Sequence, residues 1–133
     1  MTQATSSTST TGLIALDWGT SSLRAYRFDA DGRVADKRAL PWGIMNLPPA
    51  EDGADTASDA GFRRALQAAC GDWLRDFPTT PLIAAGMVGS KQGWREAPYL
   101  EVPLAVSEVG NTMTVVDTGF DVPLHIVPGL LQR

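Results

Sequence analysis

Leu13-Ile14-Ala15-Leu16-Asp17-Trp18-Gly19-Thr20-Ser21-Ser22-Leu23-Arg24-Ala25-Tyr26 is the stretch on which the reading of this chain turns. Leu13 to Trp18 is an apolar run interrupted only by Asp17, which suits a buried strand. Gly19-Thr20-Ser21-Ser22 is a tight, hydroxyl-rich turn, and a second strand follows from Leu23 to Phe28. An aspartate at a strand end beside such a turn can hold a magnesium–phosphate group. The carboxylate faces the cation or its waters, while turn N–H groups and hydroxyls face phosphate oxygens. Gly19 lets the backbone come close to a ligand. The same residue types are ordinary turn formers, so a plain β-hairpin is the bland alternative. No G-x-x-x-x-G-K-[ST] occurs, so the segment is not a Walker loop.

A third strand, Arg33–Leu40, follows the turn Asp29-Ala30-Asp31-Gly32. That turn mimics the start of a calcium loop but lacks the later ligands. An apolar strand, D-x-G-T-S, a second strand opening on Leu-Arg and a third after D-A-D-G together resemble the first phosphate motif of the actin, hexokinase and Hsp70 superfamily.

Pro41 to Ala57 is rich in Pro, Gly, Asp and Ala and reads as a long surface loop, with Trp42, Gly43 and Met45 placed to dip toward a cleft. Thr56–Asp76 reads as one long helix. Phe62, Leu66, Ala69, Cys70, Trp73, Leu74 and Phe77 share one face, Arg63, Arg64, Asp72 and Arg75 lie mostly off it, and Thr56 with Asp59 makes a capping pair. Pro78 and Pro81 end it. Leu82–Ala85 then reads as a short, fully buried strand of the kind found inside parallel sheets. Gly86-Met87-Val88-Gly89-Ser90 and Trp94 follow its carboxyl end, where open α/β sheets bind ligands. A glycine-rich turn without a ligand is the competing reading. Thr112–Val116 and Val122–Val127 read as two more strands about the turn Asp117-Thr118-Gly119, and His125 reads as a packed strand residue rather than a metal ligand.

The chain has 133 residues, 44% of them hydrophobic, enough for one globular domain. With 11 Lys and Arg against 15 Asp and Glu, its net charge of −4 gives no footing for nucleic acid or an anionic membrane. Any phosphate site is therefore local. Cys70 is the only cysteine, excludes an intrachain disulfide, reads as a small buried hydrophobe and suits a reducing cytoplasm. No apolar run approaches the ~20 residues of a membrane span. Residues 1–11 read as a disordered tail with no signal-peptide pattern.

I-A-L-D-W-G-T-S-S-L-R-A-Y at 14–26 resembles the opening of 2-keto-3-deoxygalactonate kinases, and A-A-G-M-V-G-S-K-Q-G-W-R-E-A-P-Y at 84–99 resembles a second block of that family. V-P-L-A at 102–105 and I-V-P-G-L at 126–130 continue in register. The second block is the more specific of the two. The resemblance implies an α/β fold: a ribonuclease H-like mixed sheet, an antiparallel three-strand meander plus parallel strands under helix cover, forming the first lobe of an actin-like ATPase. Residues 12–133 would be that lobe. The family's later segments, an Arg-Gly-Glu-Glu-like block, a second phosphate loop and an adenosine motif, have no counterpart here.

The activity implied is ATP-dependent phosphorylation of the 6-hydroxyl of 2-keto-3-deoxy-D-galactonate. Asp17 would orient Mg2+. Gly19, Thr20, Ser21 and Ser22 would contact the β- and γ-phosphates of ATP, and Arg24 would meet a phosphate or the substrate carboxylate, or serve only as an outer strand residue. Gly86, Met87, Val88, Gly89, Ser90, Trp94 and Tyr99 would line the sugar-acid pocket, with Trp94 and Tyr99 equally suited to packing. The general base is left unassigned; Glu96 is a candidate only by its nearness to the loop. A lone first lobe should be folded but catalytically silent, with an apolar face inviting homodimer formation or aggregation. Two rivals stand beside this reading. V-V-D-T-G at 115–119 matches the aspartic-protease triplet, though the helix and the G-M-V-G-S loop have no place in that fold. The other is a lobe that binds without catalysing, or that belongs to another sugar kinase of the superfamily.

Overall fold

The computed structural model describes residues 11–49, 60–90, 93–96, 99–101, 113–127 and 129–131. Its centre is a six-stranded mixed sheet in the order β3-β2-β1-β4-β7-β6. β1 (Thr11–Trp18), β2 (Leu23–Asp29) and β3 (Val34–Leu40) form the antiparallel meander. β4 (Leu82–Ala85) lies parallel to β1, with Leu16 opposite Ala84 and Asp17 opposite Ala85. β7 (Leu124–Ile126) continues the parallel set beside β4, and β6 (Thr114–Val116) closes the edge antiparallel to β7. The meander and the parallel pairing of the fourth strand take the form the sequence predicts, but β4 is not fully buried. Only Leu82 and Ala84 turn into the core, while Ile83 is half-buried and Ala85 exposed, because strand alternation sends them to the other face.

Alternation along each strand sorts the two faces. Ile14, Leu16 and Trp18 of β1, Leu23 and Ala25 of β2, Leu82 and Ala84 of β4, and Leu124 and Ile126 of β7 are all buried on one face. α1 (Ala60–Asp76) joins the same core through Phe62, Ala65, Leu66, Ala69, Cys70, Trp73 and Leu74. The expected apolar stripe is therefore the packed one. Its last member, Phe77, is only half-buried, just beyond the helix. The expected first turn, 56–59, with its Thr56–Asp59 cap, lies outside the described residues. Cys70 departs from helical geometry (φ −150°, ψ 16°), a kink that periodicity alone does not foretell. The thiol is fully buried, burial pushes it up to about 12, and Sγ donates to the Leu66 carbonyl at 3.6 Å. It is the inert hydrophobe the sequence suggests.

Two guanidinium groups fasten α1 to the meander. Arg38 of β3 makes paired hydrogen bonds to both carboxylate oxygens of Asp72 at 2.7 Å and lies 4.1 Å over the Trp73 ring. Arg27 of β2 sits 5.3 Å from the Phe77 ring and 5.8 Å from that of Trp73. Such cation–π contacts hold the helix by its aromatic face. Arg27 also donates from Nη1 to Thr11 Oγ1 at 3.2 Å, while its Nε is buried without a partner among the described residues.

The turns bear out their residue types. In D-A-D-G, Asp29 Oδ1 accepts the amides of Asp31 and Arg33, and Gly32 takes φ +85°. In D-T-G, Asp117 Oδ1 accepts the Gly119 amide, Gly119 takes φ +83°, and Thr118 Oγ1 donates to the Val122 carbonyl at 2.7 Å. Every one of these contacts shapes the turn itself. His125 is a half-buried strand residue between Ile83 and Val115 in register. The surface-loop reading of 41–57 needs correction at its start: Gly43 and Ile44 are buried. A second sheet, β5 (Tyr99–Glu101) parallel to β8 (Gly129–Leu131), was not expected. Among the described residues, no helix is long and apolar enough to cross a membrane.

The Arg38 hydrogen bonds hold the Asp72 carboxyl down to about 2, below its ordinary range. A carboxylate that is more acidic folded than unfolded stabilises at pH above its unfolded value near 4 and loses that contribution as pH falls toward 2. Half of the Asp72 side chain is exposed, so solvent keeps the effect under about 1 kcal/mol. Asp72→Asn should therefore lower the denaturation midpoint modestly at pH 7, and the gap from wild type should narrow steadily in urea titrations between pH 5 and pH 2. A gap independent of pH would remove the ion pair from the account.

Candidate functional site

The carboxyl ends of β1 and β4 lie side by side, and the two glycine-bearing segments of interest leave from them. Asp17, the penultimate residue of β1, alternates with buried Leu16 and Trp18 and so faces away from α1, exposed. Arg24 is its cross-strand partner in β2 and is exposed on the same face. Arg24 also lines a shallow hollow of about 380 Å³ with Tyr26, Lys37, Arg38 and Ala39. It is thus an outer strand residue adjoining the carboxylate rather than part of the turn.

The turn itself is closed by the Gly19 amide, which donates to the Ser22 carbonyl at 2.9 Å. Thr20, Ser21 and Ser22 are exposed. Two more turn carbonyls are taken by a segment more than twenty residues away. Ile44 N–H donates to Gly19 O at 2.9 Å, and Met45 N–H donates to Thr20 O at 3.0 Å. Gly43 makes this approach possible. A β-carbon there would lie far inside van der Waals contact with the Thr20 carbonyl and the Ser21 backbone. Among the described residues nothing accepts from the amides of Thr20, Ser21 or Ser22. Three N–H donors beside a carboxylate, with the neighbouring carbonyls tied back, can grip an anion and a cation together.

The second segment packs behind the first. Gly86 takes φ +104°, and a β-carbon there would come within 2.8 Å of the Trp18 carbonyl oxygen. A 3-10 turn follows at Met87–Gly89, with Ser90 N–H and Oγ–H both donating to Met87 O, at 2.9 and 2.6 Å. Gly93 is folded back onto the Val88 carbonyl so tightly that no β-carbon fits. Gly86 and Met87 are exposed, and Gly89 and Ser90 are half-buried. Val88 is fully buried, so its side chain supports the loop from within and does not line a pocket. Trp94 likewise packs. Its ring stacks on Phe62 at 5.7 Å and meets Trp18 edge-on at 6.0 Å, leaving 7% of the residue exposed. Glu96 is exposed beyond it. Tyr99 opens β5, outside the six-stranded sheet, and its side chain lies outside the described residues.

Two residues hold the site together: Trp18, expected only as the end of a strand, and Gly43, expected only to dip toward a cleft. Trp18 has no exposed surface, and its indole N–H donates to the Trp42 carbonyl at 2.9 Å. Gly43 seats that segment on the turn. The available signal for Gly43 was a glycine in P-W-G-I-M, between large apolar residues, where no tight turn calls for one.

Against known proteins, a family model described as 2-keto-3-deoxy-galactonokinase matches residues 17–133. A protein of Rhizobium meliloti (strain 1021), provisionally named a 2-dehydro-3-deoxygalactonokinase, is 36% identical over 119 residues, covering 90% of this chain and 35% of the relative. The 2-dehydro-3-deoxygalactonokinase of Escherichia coli (strain K12) is 35% identical over 117 residues, covering 88% of this chain and 34% of that protein. A crystal structure from Sinorhizobium meliloti, provisionally assigned the same activity, superposes with a TM-score of 0.68 at 34% identity, over 91% of this chain and 36% of that one. The chain thus spans about a third of the length of the relatives it matches. With Asp17 and the turn beyond it, the Gly86–Ser90 loop and Trp94 all inside the matched span, the chain belongs to the 2-keto-3-deoxy-galactonokinase family.

Proposed function

We propose that this chain supplies the phosphate-gripping part of an ATP-dependent kinase that phosphorylates the 6-hydroxyl of 2-keto-3-deoxy-D-galactonate. The observation that carries the reading is the 19–22 turn, whose amides at Thr20, Ser21 and Ser22 are free of acceptors among the described residues and adjoin the exposed Asp17. The family supports the kinase chemistry and the sugar acid. The six-stranded mixed sheet supports reading the chain as the first lobe of an actin-like ATPase with a ribonuclease H-like core.

Phosphoryl transfer needs little covalent help from a protein. It needs alignment and neutralisation of charge on the phosphoryl oxygens. The donor set fits Mg2+. Among the described residues there is no cluster of three metal-ligating side chains, and a single carboxylate suits a cation that keeps most of its waters and takes phosphate oxygens. When bound, that cation supplies charge neutralisation at the transferring group. Asp17 holds its position. The amides and hydroxyls of Thr20, Ser21 and Ser22 face the β- and γ-phosphates, and Gly19 leaves them room. Arg24, alongside Asp17, offers positive charge to a phosphate or to the sugar-acid carboxylate. Gly86, Met87, Gly89 and Ser90 form the wall toward the sugar acid, while Val88 and Trp94 brace that wall from the core and Tyr99 lies beyond it.

In the full-length protein, Asp17→Asn is nearly isosteric and exposed, so the fold should survive. Turnover in a coupled ADP-release assay should fall by roughly two to three orders of magnitude, the scale on which electrostatic stabilisers act. Wild-type-like turnover would refute the role of Asp17. The 133-residue chain alone carries the phosphate turn, and in-line alignment of ATP with the acceptor can supply about 7–11 kcal/mol. Assayed alone with saturating sugar acid, the chain should be silent. Turnover matching a full-length kinase would overturn that expectation.

A further inference from the structure

The carbonyls of the phosphate-facing turn are not left to solvent. Gly19 O accepts from Ile44 N–H, Thr20 O from Met45 N–H, and Ser22 O from Gly19 N–H. In a planar trans peptide the C=O of one residue and the N–H of the next point in opposite directions. Fixing Gly19 O toward Ile44 therefore aims Thr20 N–H away from that segment. Fixing Thr20 O toward Met45 does the same for Ser21 N–H. Both residues are exposed, and neither donor has an acceptor among the described residues. Without this tether the two peptides could flip and present carbonyl oxygens, which repel an anion.

We propose that Trp42–Met45 is a built-in clamp that sets the amide array of the 19–22 turn for phosphate, and that Gly43 is a positioning residue for phosphoryl transfer. The clamp is anchored twice. Trp42 O accepts the indole N–H of the fully buried Trp18, and Ile44 is itself buried in the core. Between the two anchors only a glycine fits against the Thr20 and Ser21 backbone. The obstacle at Gly43 is main chain rather than a mobile side-chain tip, so a β-carbon must push the turn itself. Gly43 has no positive φ, so its requirement is close approach alone. By contrast, Met45 reaches the turn through its amide and leaves its side chain 68% exposed. The clamp acts on the phosphate donor and makes no contact that would select the sugar acid. The inference rests on the kinase reading above.

The test is steady-state kinetics on the full-length protein, with KM determined separately for ATP and for 2-keto-3-deoxygalactonate. Gly43→Ala should lower kcat/KM for ATP by about 10- to 100-fold, the scale of an ångström-sized misplacement. KM for the sugar acid should stay within about twofold, and the far-UV circular dichroism should be retained. Should Gly43→Ala fail to fold, Met45→Pro removes the N–H that reaches Thr20 O while also fixing φ at 45 and restricting Ile44, and Met45→Ala retains the N–H; retained far-UV circular dichroism shows that the 43–46 turn tolerates the ring. KM for ATP in Met45→Pro should exceed that in Met45→Ala by roughly three- to tenfold, the reach of one hydrogen bond. A merely structural role would lower the melting temperature and the active fraction while leaving both KM values alone. That result, or a parallel rise of both KM values, overturns the clamp. A wild type without ATP-dependent turnover removes the kinase reading itself. A wild type that turns over, beside clamp variants with unmoved KM for ATP, removes the clamp alone.

Discussion

The site depends on one partly buried hydrogen bond, from the Trp18 indole N–H to the Trp42 carbonyl. Trp18 ends the central strand with no exposed surface, so its N–H must find an acceptor or lose the hydration it had in the unfolded chain. Meeting that demand brings the 42–45 backbone to the end of β1. Gly43 then fits against the turn, and the amides of Ile44 and Met45 reach its carbonyls. The same indole meets Phe62 of the helix at 5.9 Å and Trp94 at 6.0 Å. Its own carbonyl is where Gly86 passes closest. One side chain thus ties helix, both loops and the 19–22 turn to the sheet. Removing a buried aromatic of this size costs about 3–5 kcal/mol, and here the loss would fall on the turn geometry as well as the core.

The two sides of the sheet do different work. Toward α1 the strands present aliphatic side chains, with Arg27 and Arg38 at the rim against aromatic rings and Arg38 paired with Asp72. Away from α1 the β1–β2–β3 register sets Asp17, Arg24 and Ala39 in one row, and Ala15, Tyr26 and Lys37 in the next. On that face of the meander Asp17 and Arg24 stand at the end of the sheet where the glycine-bearing segments emerge, with Lys37 one row behind. The phosphate site proposed there would not depend on the net charge of −4, because its attraction would be local, from the turn amides and Asp17.

Much of this was legible in the residues because it is local. The apolar run from Leu13 to Trp18, the hydroxyl-rich turn after it and the second strand from Leu23 to Phe28 marked the hairpin; the apolar run after Pro81 marked β4; the stripe from Phe62 to Leu74 marked the helix face. D-A-D-G and D-T-G carried their own turn chemistry. The rest was non-local. The fit of Gly43 against Thr20 joins positions far apart in sequence, and a glycine alone does not say what it makes room for. Trp94 was ambiguous because an indole suits a pocket wall and a core equally; stacking on Phe62 decides for the core. The three-residue strands at Tyr99–Glu101 and Gly129–Leu131 are too short to show a period. The kink at Cys70 leaves the apolar stripe intact and so leaves no trace in it.

The central claim is that the backbone N–H groups of the 19–22 turn are preset to receive phosphate. Amide-resolved NMR of the full-length protein, titrated with Mg-ATP, tests it most directly. The account predicts that the Thr20, Ser21 and Ser22 amides move downfield together and saturably, as N–H groups do on meeting a phosphate acceptor, while those of Ile44 and Met45, already bonded, hold their positions. Saturable binding with the three turn amides unmoved would contradict it.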